Sequence, residues 1–283
     1  MLEIKIENKA DESAFAMSVF KQIFGALEDI ITTITVRFSK ENMKIQVIDS
    51  MHVCLCVVDI VTSVFTHYRC DKDIVLTIPL KIFNTIMKNC SLSGDKSSFM
   101  LSAMESSSRE IEVENAGNDG EGKKEEVSTA NKLNLCNEID GSISKFSIDL
   151  LESELPQYTA PMANWSSIIN VRSDGFKLFK NYGDLFGSKI IFRVQKNEFI
   201  LEQHGEGTSS DVVLKADDEN KPYTIDSTSP CSIEIKKSYL NNIGKLFSMS
   251  EEMQISMMEE HPILFELKLF NFGYVQFFIA PQS

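Results

Sequence analysis

The sequence predicts an α+β protein made of two similar halves in tandem, each combining antiparallel strands with two helices. Two internal alignments carry this reading. With Phe20 set against Phe176, a spacing of 156 residues, Lys21 meets Lys177, Ile23 meets Phe179, Ile34 meets Ile190, and Val36-Arg37-Phe38 meets Phe192-Arg193-Val194. At a spacing of 157, Ile78 meets Ile235, Asn84 meets Asn241, Ile86 meets Ile243 and Lys88 meets Lys245. Two separate stretches agreeing on nearly one offset mark a duplication. A third observation fits: in both halves an apolar stripe at helical spacing leads into alternating strands.

The elements follow in order. Met1-Leu2-Glu3-Ile4-Lys5-Ile6 alternates as a strand does. From Asp11 to Ile31, the residues Phe15, Val19, Phe20, Ile23, Leu27, Ile30 and Ile31 form one helical stripe, with Asp11 or Ser13 as its cap. Ile34–Phe38 and Met43–Ile48, joined through Lys40-Glu41-Asn42, read as a hairpin. Strands over 53–60 and 74–78, a short helix over 79–89, and paired strands over 98–104 and 110–114 complete this half. Residues 115–142, polar and rich in glycine, predict a mobile loop. A strand over 146–151 leads into an extended connector that contains Pro156 and Pro161. Helices near 173–186 and 236–247 belong to the second half. The expected domains are 1–149 with its loop insertion, a connector over 150–165, and 166–283.

Composition narrows the function. The 283 residues are 43% hydrophobic without a run of about 18 apolar residues, and the first residues lack the layout of a secretion signal. Cysteines at 54, 56, 70, 90, 136 and 231 are scattered, as expected of an intracellular protein. A net charge of −13 means that any nucleic-acid function needs a localised basic surface on an acidic body. No phosphate-binding glycine loop is present: Gly122-Lys123-Lys124 lacks the spacing, and Gly205-Glu206-Gly207 opens no helix. The histidines at 52, 67, 204 and 261 are isolated in sequence. No enzyme activity, catalytic residue or cofactor is expected. His52, Cys54 and Cys56 alternate along a predicted strand and so share a face, but neighbours on one strand lie about 7 Å apart, too far to chelate a metal. No metal is expected.

Ile48-Asp49-Ser50-Met51-His52-Val53 and Tyr68-Arg69-Cys70-Asp71 resemble the proliferating cell nuclear antigen family of DNA sliding clamps. The ending Phe277-Phe278-Ile279-Ala280-Pro281 resembles that family's Tyr-Tyr-Leu-Ala-Pro close. The likeness spans nearly the whole chain except 115–142. It implies a clamp fold: two similar domains per chain, helices inside and sheets outside, six domains closing as a homotrimeric ring around duplex DNA. The implied partners are DNA polymerase, the clamp loader and other replication and repair proteins, with no membrane partner. The implied location is the nucleus, or wherever a viral or protist genome is replicated. Subunits would join edge to edge through 143–149 of one and 208–214 of the next. The rival expectation is a clamp-like interaction scaffold, or a subunit of a heterotrimeric ring.

Within that likeness, each helix offers lysine to DNA: Lys21 on the first, Lys81 and Lys88 on the second, Lys177 and Lys180 on the third, Lys237 and Lys245 on the fourth. Any one of these is an ordinary solvent-facing charge; four helices agreeing on so acidic a chain is the argument. Point charges without bidentate geometry suit contacts that must slide. Glu28, Thr85, Leu178, Asn181 and Ser238 depart from the basic residues that relatives often carry. The family's clients insert a peptide with one aliphatic and two aromatic anchors. By position, the groove would use Ile48, His52, Val53, Leu55, Tyr158, Ala160, Pro161, Pro262, Phe278, Ala280 and Pro281, with Ala160-Pro161 replacing a bulkier Ile-Pro.

Overall fold

A computed structural model describes residues 1–8, 11–93, 96–113, 123–152, 158–161, 163–183, 186–216 and 221–282. The chain divides into two compact units. The first comprises Met1–Val47, Val57–Thr159 and Asn271–Gly273; the second comprises Ile48–Cys56, Ala160–Phe270 and Tyr274–Ser283.

In chain order, the elements up to residue 149 are β1 (Leu2–Glu7), α1 (Asp11–Glu28), β2 (Thr33–Phe38), β3 (Asn42–Ile48), β4 (Cys54–Val61), β5 (His67–Cys70), β6 (Ile74–Pro79), α2 (Leu80–Asn89), β7 (Ser97–Ala103), β8 (Ser107–Val113), β9 (Lys123–Thr129), β10 (Lys132–Ile139) and β11 (Ser142–Asp149). One sheet of the first unit runs β11-β10-β7-β1-β5, and the other β4-β3-β2-β6-β9-β8. The remaining elements are β12 (Ser167–Arg172), α3 (Phe176–Gly183), β13 (Lys189–Gln195), β14 (Glu198–Gly205), β15 (Thr208–Lys215), β16 (Tyr223–Ser227), β17 (Cys231–Lys236), α4 (Lys237–Gly244), β18 (Glu252–Met257), β19 (Ile263–Lys268) and β20 (Gly273–Ile279). The second unit has the sheets β16-β12-β18-β19-β20 and β15-β14-β13-β17.

The duplication is plain in these orders. β5-β1-β7-β10-β11 corresponds strand for strand to β16-β12-β18-β19-β20, and β4-β3-β2-β6 to β15-β14-β13-β17. Single hydrogen bonds repeat as well. The Leu151 amide donates to the Thr77 carbonyl at 3.0 Å, and the Gln282 amide to that of Glu234 at 2.8 Å; Thr77 and Glu234 are 157 apart.

Among the described residues, only the strands β8 and β9 have no counterpart. They form an antiparallel hairpin, and β9 lies parallel to β6, with Ile74 opposite Ser128 and Val75 opposite Thr129. This corrects two expectations. The strands over 98–104 and 110–114 do not pair with each other: β7 lies between β1 and β10. Nor is 115–142 one loop, since β9, β10 and the start of β11 fall inside it. The physical reason is that β9 is held by backbone pairing between β6 and β8, so a strand forms there with Val127 as its one large apolar residue.

The helices close each unit with aromatic packing. On α1, Ala16, Met17, Val19, Phe20, Ile23, Phe24, Ala26 and Leu27 are buried. The Phe24 ring lies 4.7 Å from both Phe20 on its own helix and Phe83 on α2. The helix stops at Glu28, so Ile30 and Ile31 lie beyond it, and the cap and Phe15 side chains fall outside the described residues. In the second unit, Phe247 packs against Phe176 at 4.5 Å and Phe179 at 6.4 Å. Each such side chain contributes roughly 1.5–3 kcal/mol through removal from water, and together they fix the helices on the sheets.

Candidate functional site

Among the described residues, three of the four α-helices share a compositional feature. α2 (LKIFNTIMKN), α3 (FKLFKNYG) and α4 (KSYLNNIG) hold no aspartate or glutamate, although the chain has 41 acidic residues against 28 basic ones. Their apolar faces are committed to the core by Leu80, Phe83 and Met87, by Phe176 and Phe179, and by Tyr239, Leu240 and Ile243. That leaves Lys81 and Lys88 exposed on α2, Lys177 exposed on α3, and Lys245 exposed just past α4, with Lys237 half-buried at its start. The Lys180 side chain lies outside the described residues.

Lys21 is placed differently from its expected role. It is half-buried, and its ammonium donates to the Cys90 carbonyl at the C-terminus of α2. Burial draws its pKa below the ordinary lysine value. A cation at a helix C-terminus satisfies an orphan carbonyl and the negative end of the dipole. Lys21 therefore braces α1 against α2. A second brace lies nearby: buried Asn84 donates to the Phe24 carbonyl and to the Glu28 carboxylate, both at 2.9 Å. Glu28, one of the departures from the family's basic pattern, is thus held by α2.

The groove residues divide by depth. Leu55 and Phe278 are buried; Ile48, Val53, Tyr158, Ala160, Pro161, Pro262 and Ala280 are half-buried; His52 and Pro281 are exposed. In the second unit the Ala280 amide donates to the Val53 carbonyl at 2.9 Å, joining tail to loop. Ile263 lies opposite Ile279 in the β19–β20 ladder, which brings Pro262 beside Ala280. In the first unit, Gln46, a residue not anticipated from sequence, secures Tyr158. Its side-chain amide donates to the Tyr158 carbonyl at 3.0 Å and accepts from the Tyr158 amide at 3.4 Å.

His52 corrects the strand reading of 52–56. It lies before β4 with φ 56°, in a turn closed by its own amide on the Asp49 carbonyl at 2.9 Å. Cys54 and Cys56 are fully buried while His52 faces solvent, so the three do not share a face.

The turn is organised by Asp49, only 5% exposed. One carboxylate oxygen accepts from the amides of Val53 at 2.7 Å and Cys54 at 2.8 Å; the other accepts from the Tyr239 hydroxyl at 2.6 Å. Burial alone would raise the pKa of Asp49, but these hydrogen bonds outweigh it and hold the carboxyl below the usual carboxylate range. Burial and the facing carboxylate push Tyr239 well above its ordinary value. Because the folded-state pKa of Asp49 is depressed, its contribution to stability is complete above the unfolded value near 3.9 and is lost as pH falls through the folded one. Asp49→Asn should therefore have a lower Tm at neutral pH and a shallower decline below about pH 5. Parallel Tm-against-pH curves for the two proteins would contradict this.

The segments expected to join subunits lie at sheet margins. β11 and β15 are terminal strands of their sheets, and both are largely exposed, including Ile143 at 56% and Val213 at 45%.

Two units of matching strand order, each closed by paired helices, define a duplicated clamp-type fold. The model of the proliferating cell nuclear antigen N-terminal domain matches residues 1–128, and that of the C-terminal domain matches 159–282. The chain belongs to the proliferating cell nuclear antigen family, as the motifs around Asp49 and Arg69 and the duplicated fold led us to expect. Among curated relatives, proliferating cell nuclear antigen 2 of Plasmodium falciparum (isolate 3D7) is 26% identical over 273 residues, covering 93% of this chain and 95% of the relative. Proliferating cell nuclear antigen 1 of P. falciparum (isolate K1 / Thailand) is 24% identical over 298 residues, covering 100% and 97%. Family membership supports a sliding-clamp role in DNA replication.

Proposed function

We propose that this chain closes as a homotrimer around duplex DNA, serving as processivity factor for a DNA polymerase and as docking platform for replication and repair proteins. The observation that carries this is that α2, α3 and α4 each hold lysine and no carboxylate on a chain of net charge −13. Three chains in a head-to-tail ring would gather these helices repeatedly around one channel. The polyanion would be held by weak contacts indifferent to sequence, while the acidic remainder repels it from other surfaces. The two exposed terminal strands supply what edge-to-edge closure needs, since pairing satisfies backbone groups otherwise left open.

The reading assigns no catalytic residue. The groove around Val53 and Ala280 would receive client peptides, the clamp loader's among them. The protein would act where the genome is replicated, in the nucleus; no helix among the described residues is long and apolar enough to cross a membrane.

The test has two stages. The purified chain should have a solution mass three times its 31.9 kDa. Placed on nicked circular DNA by a clamp loader with ATP, it should remain with the circle through gel filtration and be released when the circle is cut. A monomer, or retention indifferent to linearisation, would overturn the proposal.

A further inference from the structure

One buried polar pair of the second unit is assigned no role by the sliding-clamp reading. Tyr239, on the buried side of α4, is 6% exposed, and Asp49 is 5% exposed. Their 2.6 Å hydrogen bond joins a helix to the loop that carries the groove residues Ile48, His52 and Val53. We propose that Tyr239 is a positioning residue for the partner groove: through Asp49 it holds the 48–53 loop in the shape that presents those three side chains to a client peptide. The proposal rests on the groove reading given above.

Three observations support it. The Asp49 carboxylate is used at both ends, one oxygen by Tyr239 and the other by the amides of Val53 and Cys54. Rotating the carboxylate would therefore release the loop backbone and leave a buried charge short of donors. The loop also contains a non-glycine residue in the left-handed region, His52 at φ 56°, a conformation that persists where surrounding contacts impose it. Finally, the residue that leads into the helix touches the same loop: the Lys236 ammonium lies 3.3 Å from the Met51 sulfur. Beyond the loop, the Val53 carbonyl receives the Ala280 amide. A continuous series thus runs from Tyr239 through Asp49 and Val53 to the tail.

The phenol ring fills the core whether or not its hydroxyl is present, so Tyr239→Phe removes the bond and preserves the packing. In the 283-residue chain we expect this variant to bind a fluorescein-labelled peptide, bearing one aliphatic and two aromatic anchors, about tenfold more weakly, the worth of one charge-assisted bond. Amide exchange at Val53 and Cys54 should accelerate, while solution mass and retention on circular DNA stay unchanged. A purely structural role would lower Tm and leave peptide affinity alone.

Asp49→Asn probes the same bond from its other end, and the double variant should be clearly less than additive. Equal affinity of wild type and Tyr239→Phe would overturn the positioning role and leave the groove standing. If Tyr239→Phe does not fold, unchanged affinity in Asp49→Asn overturns it equally. A wild-type protein that fails to bind the peptide would remove the groove reading, and this proposal with it.

Discussion

Reversing Lys81, Lys88, Lys177 and Lys245 to glutamate together is expected to abolish retention on DNA while leaving the fold and the proposed ring intact. All four side chains are exposed, so each exchange should alter stability by no more than about 0.5 kcal/mol. The effect on DNA is of another order. Every phosphate that is no longer neutralised takes about 0.9 off the slope of log affinity against log salt, and a homotrimer multiplies that reduction by its three subunits. Reversal adds repulsion from helices that otherwise carry no carboxylate. Residence on circular DNA at about 150 mM salt should shorten on the order of a hundredfold or more, with a matching fall in polymerase stimulation. Lys21→Glu should behave in the opposite sense, because the Lys21 ammonium is spent on the Cys90 carbonyl: Tm should fall more than DNA retention does. Unaltered retention in the fourfold variant would refute the assignment of these lysines.

That contrast between Lys21 and Lys88 shows what a sequence can and cannot disclose. Both lie opposite an apolar stripe, and the 156 and 157 offsets relate both to lysines of the second half. Periodicity reports which side of a helix faces the core. It does not report that the Lys21 stem reaches the end of a neighbouring helix, which depends on how α1 and α2 pack. The duplication was legible because β-branched and aromatic residues at matching positions leave a period; the strands and helices common to the two units followed from it. Of the hairpin, β8 was legible as the strand over 110–114, but β9 was not. Lys123-Lys124-Glu125-Glu126-Val127-Ser128-Thr129 has little apolar alternation, because β9 is added to β6 through its backbone. A signal for β10 was present in Leu133 and Leu135, both buried, and the glycines upstream masked it. Asp49 lay within the most telling motif, yet its role depends on Tyr239, which is 190 residues away.

The second large effect concerns closure of the ring. Ile143→Asp combined with Val213→Asp should leave two folded units in a chain that no longer assembles. On β11, Ile143 stands exposed among serines and a lysine; on β15, Val213 is the most exposed apolar residue of a strand that is otherwise mostly polar. Neither side chain is needed by its own unit's core, so Tm of the separated subunits should reflect intra-unit packing alone. Between subunits the change is severe. Aspartates brought to one seam oppose like with like, which destabilises neighbouring strands, and their burial without partners costs several kcal/mol more. Since three seams must form for one ring to close, a modest penalty at each becomes prohibitive for the trimer. Sedimentation or light scattering should report the mass of a single 31.9 kDa chain, where the proposed wild-type ring would give three. Such a chain should still bind the anchor peptide, because Asp49, Val53 and Ala280 lie within one unit. It should nonetheless lose retention on circular DNA, because in the proposed ring the helix lysines would hold a duplex only with the channel closed around it. A trimer of normal mass in this variant would mean that β11 and β15 are not the joining edges.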